Sequence, residues 1–358
     1  MARSLLVTGA AGFIGANFVY HWAEHHPEDH IVAYDALTYA GNRASLAPLE
    51  ADGRIGFVEG DICDEDLVRA TMEAHEVDTL VHFAAESHVD RSISGPDAFI
   101  RTNVVGTHTL LSVARSLWLS GSGRPHRFHH VSTDEVFGSL APDAPAFTED
   151  LRYEPNSPYS ASKAGSDHLV RAYHHTYGLD VTTSNCSNNY GPFHFPEKLI
   201  PLCLTNILDG RSLPVYGDGS NIRDWLYVGD HAAGIGAVLD RGKPGETYNI
   251  GGNNEWANLD IVRLLCSALD QRFAEDATLA ERFPHSPCAQ GRSAETLIEF
   301  VEDRAGHDWR YAIDASKIER ELGFSPAETF ETGIAKTIDW YLAREDWWRP
   351  LLSRRDLA

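Results

Sequence analysis

Two textures alternate along the first half of the chain. Short strand-like runs occupy 4–8, 31–35, 55–59, 79–83 and 128–132, and a further β-rich run occupies 180–186. Between them, apolar positions recur with helical spacing at 11–25, 65–75, 99–119 and 159–177. Strands that alternate with helices of roughly 10–15 residues predict βαβ units and a parallel sheet. The runs are almost continuously apolar, as suits strands covered on both faces. After Asn188 the alternation is broken by Gly191, Pro192, Pro196, Pro201, Pro214, Gly217 and Gly219, with one further strand-like run at 246–252. The stretch 271–292 reads as a polar insertion of low regularity, and the C-terminal end, with Trp340, Trp347 and Trp348, as helical.

The expected fold is α/β, a doubly wound parallel sheet of the Rossmann type with a smaller C-terminal substrate-binding lobe. Residues 1–190, rejoined by about 229–258, are assigned to the Rossmann domain, and 191–228 with 259–358 to the second lobe. Ligands of such sheets bind outside the carboxyl ends of the strands.

Composition narrows the partners. The 358 residues carry a formal net charge of −22, which repels nucleic acid. No apolar run approaches the ~20 residues of a membrane span. The N-terminal apolar stretch is too short for a signal peptide and runs straight into glycines, so a cytoplasmic protein is expected. Five cysteines without a Cys-x-x-Cys pair read as buried thiols in a reduced compartment. The 18 histidines include adjacent pairs but nothing like His-Glu-x-x-His, and no metal is assigned.

Gly9-Ala10-Ala11-Gly12-Phe13-Ile14-Gly15 follows the first strand and opens the first helix. Such glycines allow a tight turn and close approach of a pyrophosphate to a helix N-terminus. Asp35 ends the second strand about 20 residues on, where a carboxylate can accept hydrogen bonds from adenosine ribose hydroxyls. Its charge would repel a 2′-phosphate, so NAD is favoured over NADP. Asp61, Ile62, Phe83, Ala84 and Ala85 follow the third and fourth strands and are placed to line the adenine and ribose.

Tyr159 and Lys163 stand at i and i+4, on one helix face. An ammonium beside a phenol lowers the phenol pKa, which makes Tyr159 a candidate base toward a sugar hydroxyl. Ser132 and Thr133 end the fifth strand, and the Thr133 hydroxyl can orient the substrate. Together these motifs resemble the extended short-chain dehydrogenase/reductase family over essentially the whole chain. Asp134 and Glu135 follow Thr133 directly. Hydride removal needs no carboxylate pair, but elimination of water does: an acid for the leaving hydroxyl and a base for the carbon-bound proton. Crowded carboxylates also raise one another's pKa.

The Thr133-Asp134-Glu135 run is similar to that of the dTDP-glucose 4,6-dehydratase family. Leu37–Asn42, Ala85–Ser92, Asn185–Pro192, Phe195–Pro201, Arg223–Val228 and Asp303–Asp308 match it too. Phe137 departs from the Tyr common there.

This resemblance implies a reaction in three stages. Tyr159 takes the 4-hydroxyl proton as hydride passes to NAD. Glu135 removes the carbon 5 proton while Asp134 protonates the departing 6-hydroxyl. Hydride then returns to carbon 6. The resemblance further implies cofactor contacts from Leu37, Thr38, Ser87, Thr102 and Asn189, besides those above and Tyr159 and Lys163. It places Ser87, Thr133 and Asn188 at the glucosyl and phosphate region, and Lys198, Leu199, Pro214 and Tyr216 around the nucleotide. Arg223, Asn258, Arg304 and His307 fall to phosphate or sugar groups. A homodimer through the helices at 99–119 and 159–177 is implied as well. A 4-epimerase, a dehydratase for another nucleotide sugar and a non-catalytic NAD-binding protein remain as alternatives, and the pathway fed by the product, rhamnose or another deoxysugar, stays open.

Overall fold

The computed structural model describes residues 2–120, 125–303 and 307–357. Six strands come first: β1 (Ser4–Thr8), β2 (His30–Asp35), β3 (Ile55–Glu59), β4 (Thr79–His82), β5 (Arg127–Thr133) and β6 (Val181–Cys186). Then follow β7 (Asn188–Tyr190), β8 (Leu213–Tyr216), β9 (Ile222–Tyr227), β10 (Thr247–Ile250), β11 (Glu255–Ala257) and β12 (Ile298–Val301). The main sheet has the order β10-β6-β5-β4-β1-β2-β3, and every pair in it is parallel.

Alternation along the strands feeds two cores. Leu5, Val7, Ile31 and Ala33 point to one face, against the helices Phe13–His25 and Val228–Arg241. Leu6, Val32, Tyr34 and Leu80 point to the other, against Glu65–Ala74, Thr107–Leu119 and Pro158–Tyr177. With both faces covered, the only exits for a ligand are the strand ends. The helix Ser316–Leu322 also packs on the first of these cores through Ile318 and Leu322, although it belongs to the late part of the chain.

The irregular region beyond Asn188 holds more order than its sequence suggests. Parallel β7–β9 and antiparallel β9–β11 form a three-stranded sheet, and β8 pairs with β12. A separate core joins the helices Leu199–Asp209, Asn258–Glu275 and Phe330–Ala343. The expected insertion at 271–292 is corrected: the helix from Asn258 runs to Glu275, a second helix spans Thr278–Arg282, and Leu279 and Phe283 are buried in this core. With Phe273 they make three apolar anchors among many polar residues, and polarity alone hid them. The helix expected at 99–119 is likewise composite, with a π-helical stretch at Ile100–Gly106 leading into Thr107–Leu119. No helix among the described residues is long and apolar enough to cross a membrane.

Candidate active site

A cleft of about 440 Å³ opens along the carboxyl ends of β1, β2, β4, β5 and β6. Gly9, Gly12, Phe13, Ile14 and Gly15 form one wall. Gly9 has φ +70°, and a Cβ there would lie 2.6 Å from the Ala84 amide nitrogen. A Cβ on Gly15 would collide with the Gly9 carbonyl. Backbone must therefore approach backbone closely at this turn, and only glycine permits it. Asp35 lines the cleft, accepting from the Ala11 amide at 2.9 Å and the Leu37 amide at 2.8 Å. Each carboxylate oxygen keeps a second lone pair for a ligand hydroxyl. Burial raises the Asp35 carboxyl, and those two amides oppose it.

Thr38, Asp61, Ile62, Phe83, Ala84, Ala85, Ser87 and Asn189 also face the cleft. Thr102 reaches it from the π-helical stretch, whose Asn103 donates to the Glu86 carbonyl at 3.0 Å and to Ser162 Oγ at 2.8 Å. Leu37 does not line the cleft; its backbone sits at φ +50° and its amide serves Asp35.

At the centre stand Thr133, Asp134, Glu135, Tyr159 and Lys163. β5 delivers the first of these, a 3₁₀ turn (Asp134–Phe137) the two acids, and the helix Pro158–Tyr177 the Tyr and Lys. A Ser157–Ser160 capping box fixes the start of that helix one residue before Tyr159. Asp134 is 1% exposed, its Oδ2 has no hydrogen-bond partner among the described residues, and its Oδ1 accepts from Thr133 Oγ1 at 3.4 Å. Burial first, and the neighbouring Glu135 second, push the Asp134 carboxyl well above its ordinary value. These surroundings favour the protonated form of Asp134, while Glu135 is half-buried at the cleft.

The expected effect of Lys163 on Tyr159 is corrected. Burial, followed by the Glu135 carboxylate, drives the Tyr159 phenol well above its ordinary value, with the Thr133 hydroxyl opposing. Lys163 Nζ instead donates to the Val131 carbonyl at 2.9 Å.

The nucleotide-side residues divide. Asn188, Lys198 and Leu199 line the cleft, with Lys198 Nζ donating to the Ser87 carbonyl at 3.3 Å. Pro214, Tyr216, Arg223, Asn258 and His307 do not line it. Several gather around 307–309. Arg223 donates to the Asp308 carbonyl at 2.9 Å and to the Ile222 carbonyl at 2.7 Å, and stacks over Tyr311. The Tyr216 and His307 rings are 6.3 Å apart, and Asn258 N donates to the Asn221 carbonyl, whose own side chain reaches the Asp308 carbonyl. Arg304 lies outside the described residues. Phe137 is buried against Phe147 and Tyr153 in an apolar cluster beneath the acids, so the departure from Tyr falls outside the cleft.

Sequence reasoning missed Glu86, Cys186, His194, Glu197 and Trp225, which all line the cleft. Cys186 ends β6, so the strand-end rule was the signal that pointed to it. His194 stacks on Phe13 at 3.9 Å between centroids, a contact across 181 positions that no local pattern announces.

The cleft thus joins a glycine turn to a tyrosine–lysine stripe at the carboxyl ends of a parallel sheet, the layout of the extended short-chain dehydrogenase/reductases. Residues 6–337 match the sequence family described as GDP-mannose 4,6 dehydratase. A dTDP-glucose 4,6-dehydratase of Xanthomonas campestris pv. campestris is 55% identical over 351 residues, covering 97% of this chain and 95% of the relative. The solved dTDP-glucose 4,6-dehydratase of Streptomyces venezuelae, with NAD bound, superposes with a TM-score of 0.86 at 49% identity, covering 98% of this chain and 100% of the other. That of Bacillus anthracis, also with NAD, gives 0.84 at 42% identity, covering 98% and 100%. The chain belongs to the dTDP-glucose 4,6-dehydratase family.

Proposed function

We propose that this protein converts dTDP-glucose to dTDP-4-keto-6-deoxyglucose. The observation that carries the reading is Asp134: an acid sealed from solvent whose carboxyl is pushed up by burial, beside the half-buried Glu135, both on the cleft that holds Tyr159. An epimerase has no use for that pair. The glycine turn, where a Cβ would meet backbone, and the Asp35 carboxylate fit NAD. NAD held by the glycine turn and Asp35 would supply the hydride acceptor for oxidation at carbon 4 and the donor for reduction at carbon 6.

The chain's own groups move the protons. Tyr159 takes the proton of the 4-hydroxyl. Burial and the Glu135 carboxylate oppose the phenolate form and the Thr133 hydroxyl favours it, while Lys163 one helical turn on places a positive charge on the same helix face. Asp134 gives its proton to the departing 6-hydroxyl, and Glu135 takes the proton from carbon 5 and later restores it. Thr133, Ser87 and Asn188 orient the glucosyl group. Lys198, Leu199, Pro214 and Tyr216 frame the base. Arg223, Asn258 and His307 serve phosphate or sugar oxygens, and the segments 191–228 and 259–358 act as the nucleotide-sugar lobe.

We further propose a cytoplasmic homodimer. Ile100, Val105 and Leu119 in the helical stretch 99–119 and Tyr177 at the end of 159–177 are each at least 40% exposed, and this apolar surface supports pairing through those helices. Incubation with dTDP-glucose tests the main reading. A 4-keto-6-deoxy product is expected; dTDP-galactose would favour the epimerase, and unchanged substrate a binding protein.

A further inference from the structure

Beneath the catalytic pair lies a buried carboxylate that the proton transfers above do not use. Asp167 follows Lys163 by one helical turn, as Lys163 follows Tyr159, so the three form one stripe of the helix. β5 crosses beneath this stripe. Val131 takes the Lys163 ammonium on its carbonyl at 2.9 Å, and the residues on either side of it both hold Asp167. Ser132 Oγ donates to Asp167 Oδ2 at 2.8 Å, and His130 Nε2 lies 3.0 Å from Oδ1. Lys163, Asp167, His130 and Ser132 are all 5% exposed or less.

We propose that Asp167, gripped by His130 and Ser132, is a positioning residue that serves as the fixed counter-charge of Lys163 and keeps its ammonium protonated under the active site. A dry ammonium tends to lose its proton, and a carboxylate nearby opposes the loss. Both trends act on Lys163, whose pKa is lowered by burial with Asp167 opposing most strongly. Other titratable groups around the pair are His82 on β4, His130 on β5, Cys186 on β6 and Tyr153 beside Asp167. Burial keeps both histidines neutral, His130 at about 4. It also keeps Cys186 and Tyr153 protonated. Asp167 is therefore the negative charge on which Lys163 depends from below, while Asp134 and Glu135 lie on the Tyr159 side. The inference rests on Tyr159 and Lys163 being the proton-transfer pair.

The test is the pH profile of turnover by the NAD-loaded enzyme. Asp167→Asn should move the alkaline limb to lower pH by about one unit, so that alkaline turnover falls roughly tenfold more than neutral turnover. Asp167→Glu, which keeps the charge, should leave the limb in place. A uniform loss with an unmoved limb overturns the proposal, as does an equal shift in both variants. If Asp167→Asn does not fold, Ser132→Ala decides: a smaller shift in the same direction is expected, and an unmoved limb overturns the idea. Tyr159→Phe separates this from the parent reading. If that variant turns over normally, the pair itself is misassigned; if it is inactive while the limb of Asp167→Asn stays put, only the role of Asp167 falls.

Discussion

Asp134 and Glu135 adjoin in sequence, yet the 3₁₀ turn gives them unlike surroundings. The first is sealed from solvent in surroundings that favour its protonated form, and the second reaches the cleft half-buried. An acid and a base are thereby separated without any difference in chemistry beyond one methylene. Asp134→Asn cannot donate the proton that lets the 6-hydroxyl leave, and Glu135→Gln cannot take the proton from carbon 5. Both variants should oxidise carbon 4 and then stall, so nicotinamide absorbance of the reduced cofactor accumulates on adding dTDP-glucose. In deuterated solvent, the oxidised sugar held by Glu135→Gln should take up no label at carbon 5. Normal turnover in both variants would reduce the pair to an acidic turn. Residues whose role is backbone-local, such as Gly9 and Gly15, or fixed by helical spacing, such as Tyr159 and Lys163, were legible in the sequence. His194, Glu197 and Trp225 were not, because tertiary contacts alone bring them to the cleft. The same holds for His130: nothing local distinguishes it from His129, which points to the opposite face of β5 and bonds Thr182 and Ser184.

The elements of the sheet were legible for a related reason. A strand buried on both faces favours apolar residues, and β1, β2 and β4 announce themselves by that demand. By contrast, β5 and β6 bury polar side chains such as His129, His130, Thr182 and Asn185 and were read from their β-branched residues and place in the alternation. The short strands β7 to β9, β11 and β12 carry no such demand and were read as irregular. The segment 271–292 failed differently, since its order rests on a few buried side chains. Phe283 is 1% exposed and packs near Phe273, with the Arg282 and Arg349 guanidinium groups over its ring. Arg282 in turn pairs with Glu345 at 2.8 Å, tying the segment to the C-terminal helix Glu345–Leu357. Phe283→Ala should therefore cost about 3–5 kcal/mol in urea unfolding, the usual range for a buried aromatic. The folded fraction should keep its turnover, because no residue of this segment lines the cleft. A loss below about 1 kcal/mol would mark the segment as loosely attached.

At the scale of the whole molecule the fold encloses neutral imidazoles in a strongly acidic protein. His82, His129, His130 and His231 are at most 1% exposed, and burial lowers the pKa of each, His130 to about 4 and His231 to about 3. Each uses at least one ring nitrogen in a hydrogen bond, as between His82 and Thr8 at 2.8 Å and between His231 and Asn189 at 2.9 Å, while His130 Nδ1 and His231 Nε2 have no hydrogen-bond partner among the described residues. In the unfolded chain each would titrate near pH 6.5. Below that pH the unfolded state binds protons that the folded state refuses, so stability falls as pH falls. The contribution is fully present above about pH 6.5 and is lost progressively toward the folded pKa values, by up to about 1.4 kcal/mol per pH unit for each histidine. Asp134 acts in the opposite sense, since its raised pKa favours folding at low pH. Burial raises Asp35, Glu86, Glu149, Asp224 and Asp230 as well, and because these groups titrate near pH 4 in the unfolded chain their stabilising effect grows as pH falls toward that value. The relief of repulsion among the 52 acidic residues likewise awaits their protonation in that range. Between about pH 6.5 and 5 the four histidines should therefore dominate. The melting temperature, followed by calorimetry across this interval, should drop steadily from its neutral plateau, and His129→Gln, if it folds, should flatten the slope. A melting temperature that holds level or rises from pH 7 to 5 would show that these imidazoles titrate alike in the folded and unfolded chain.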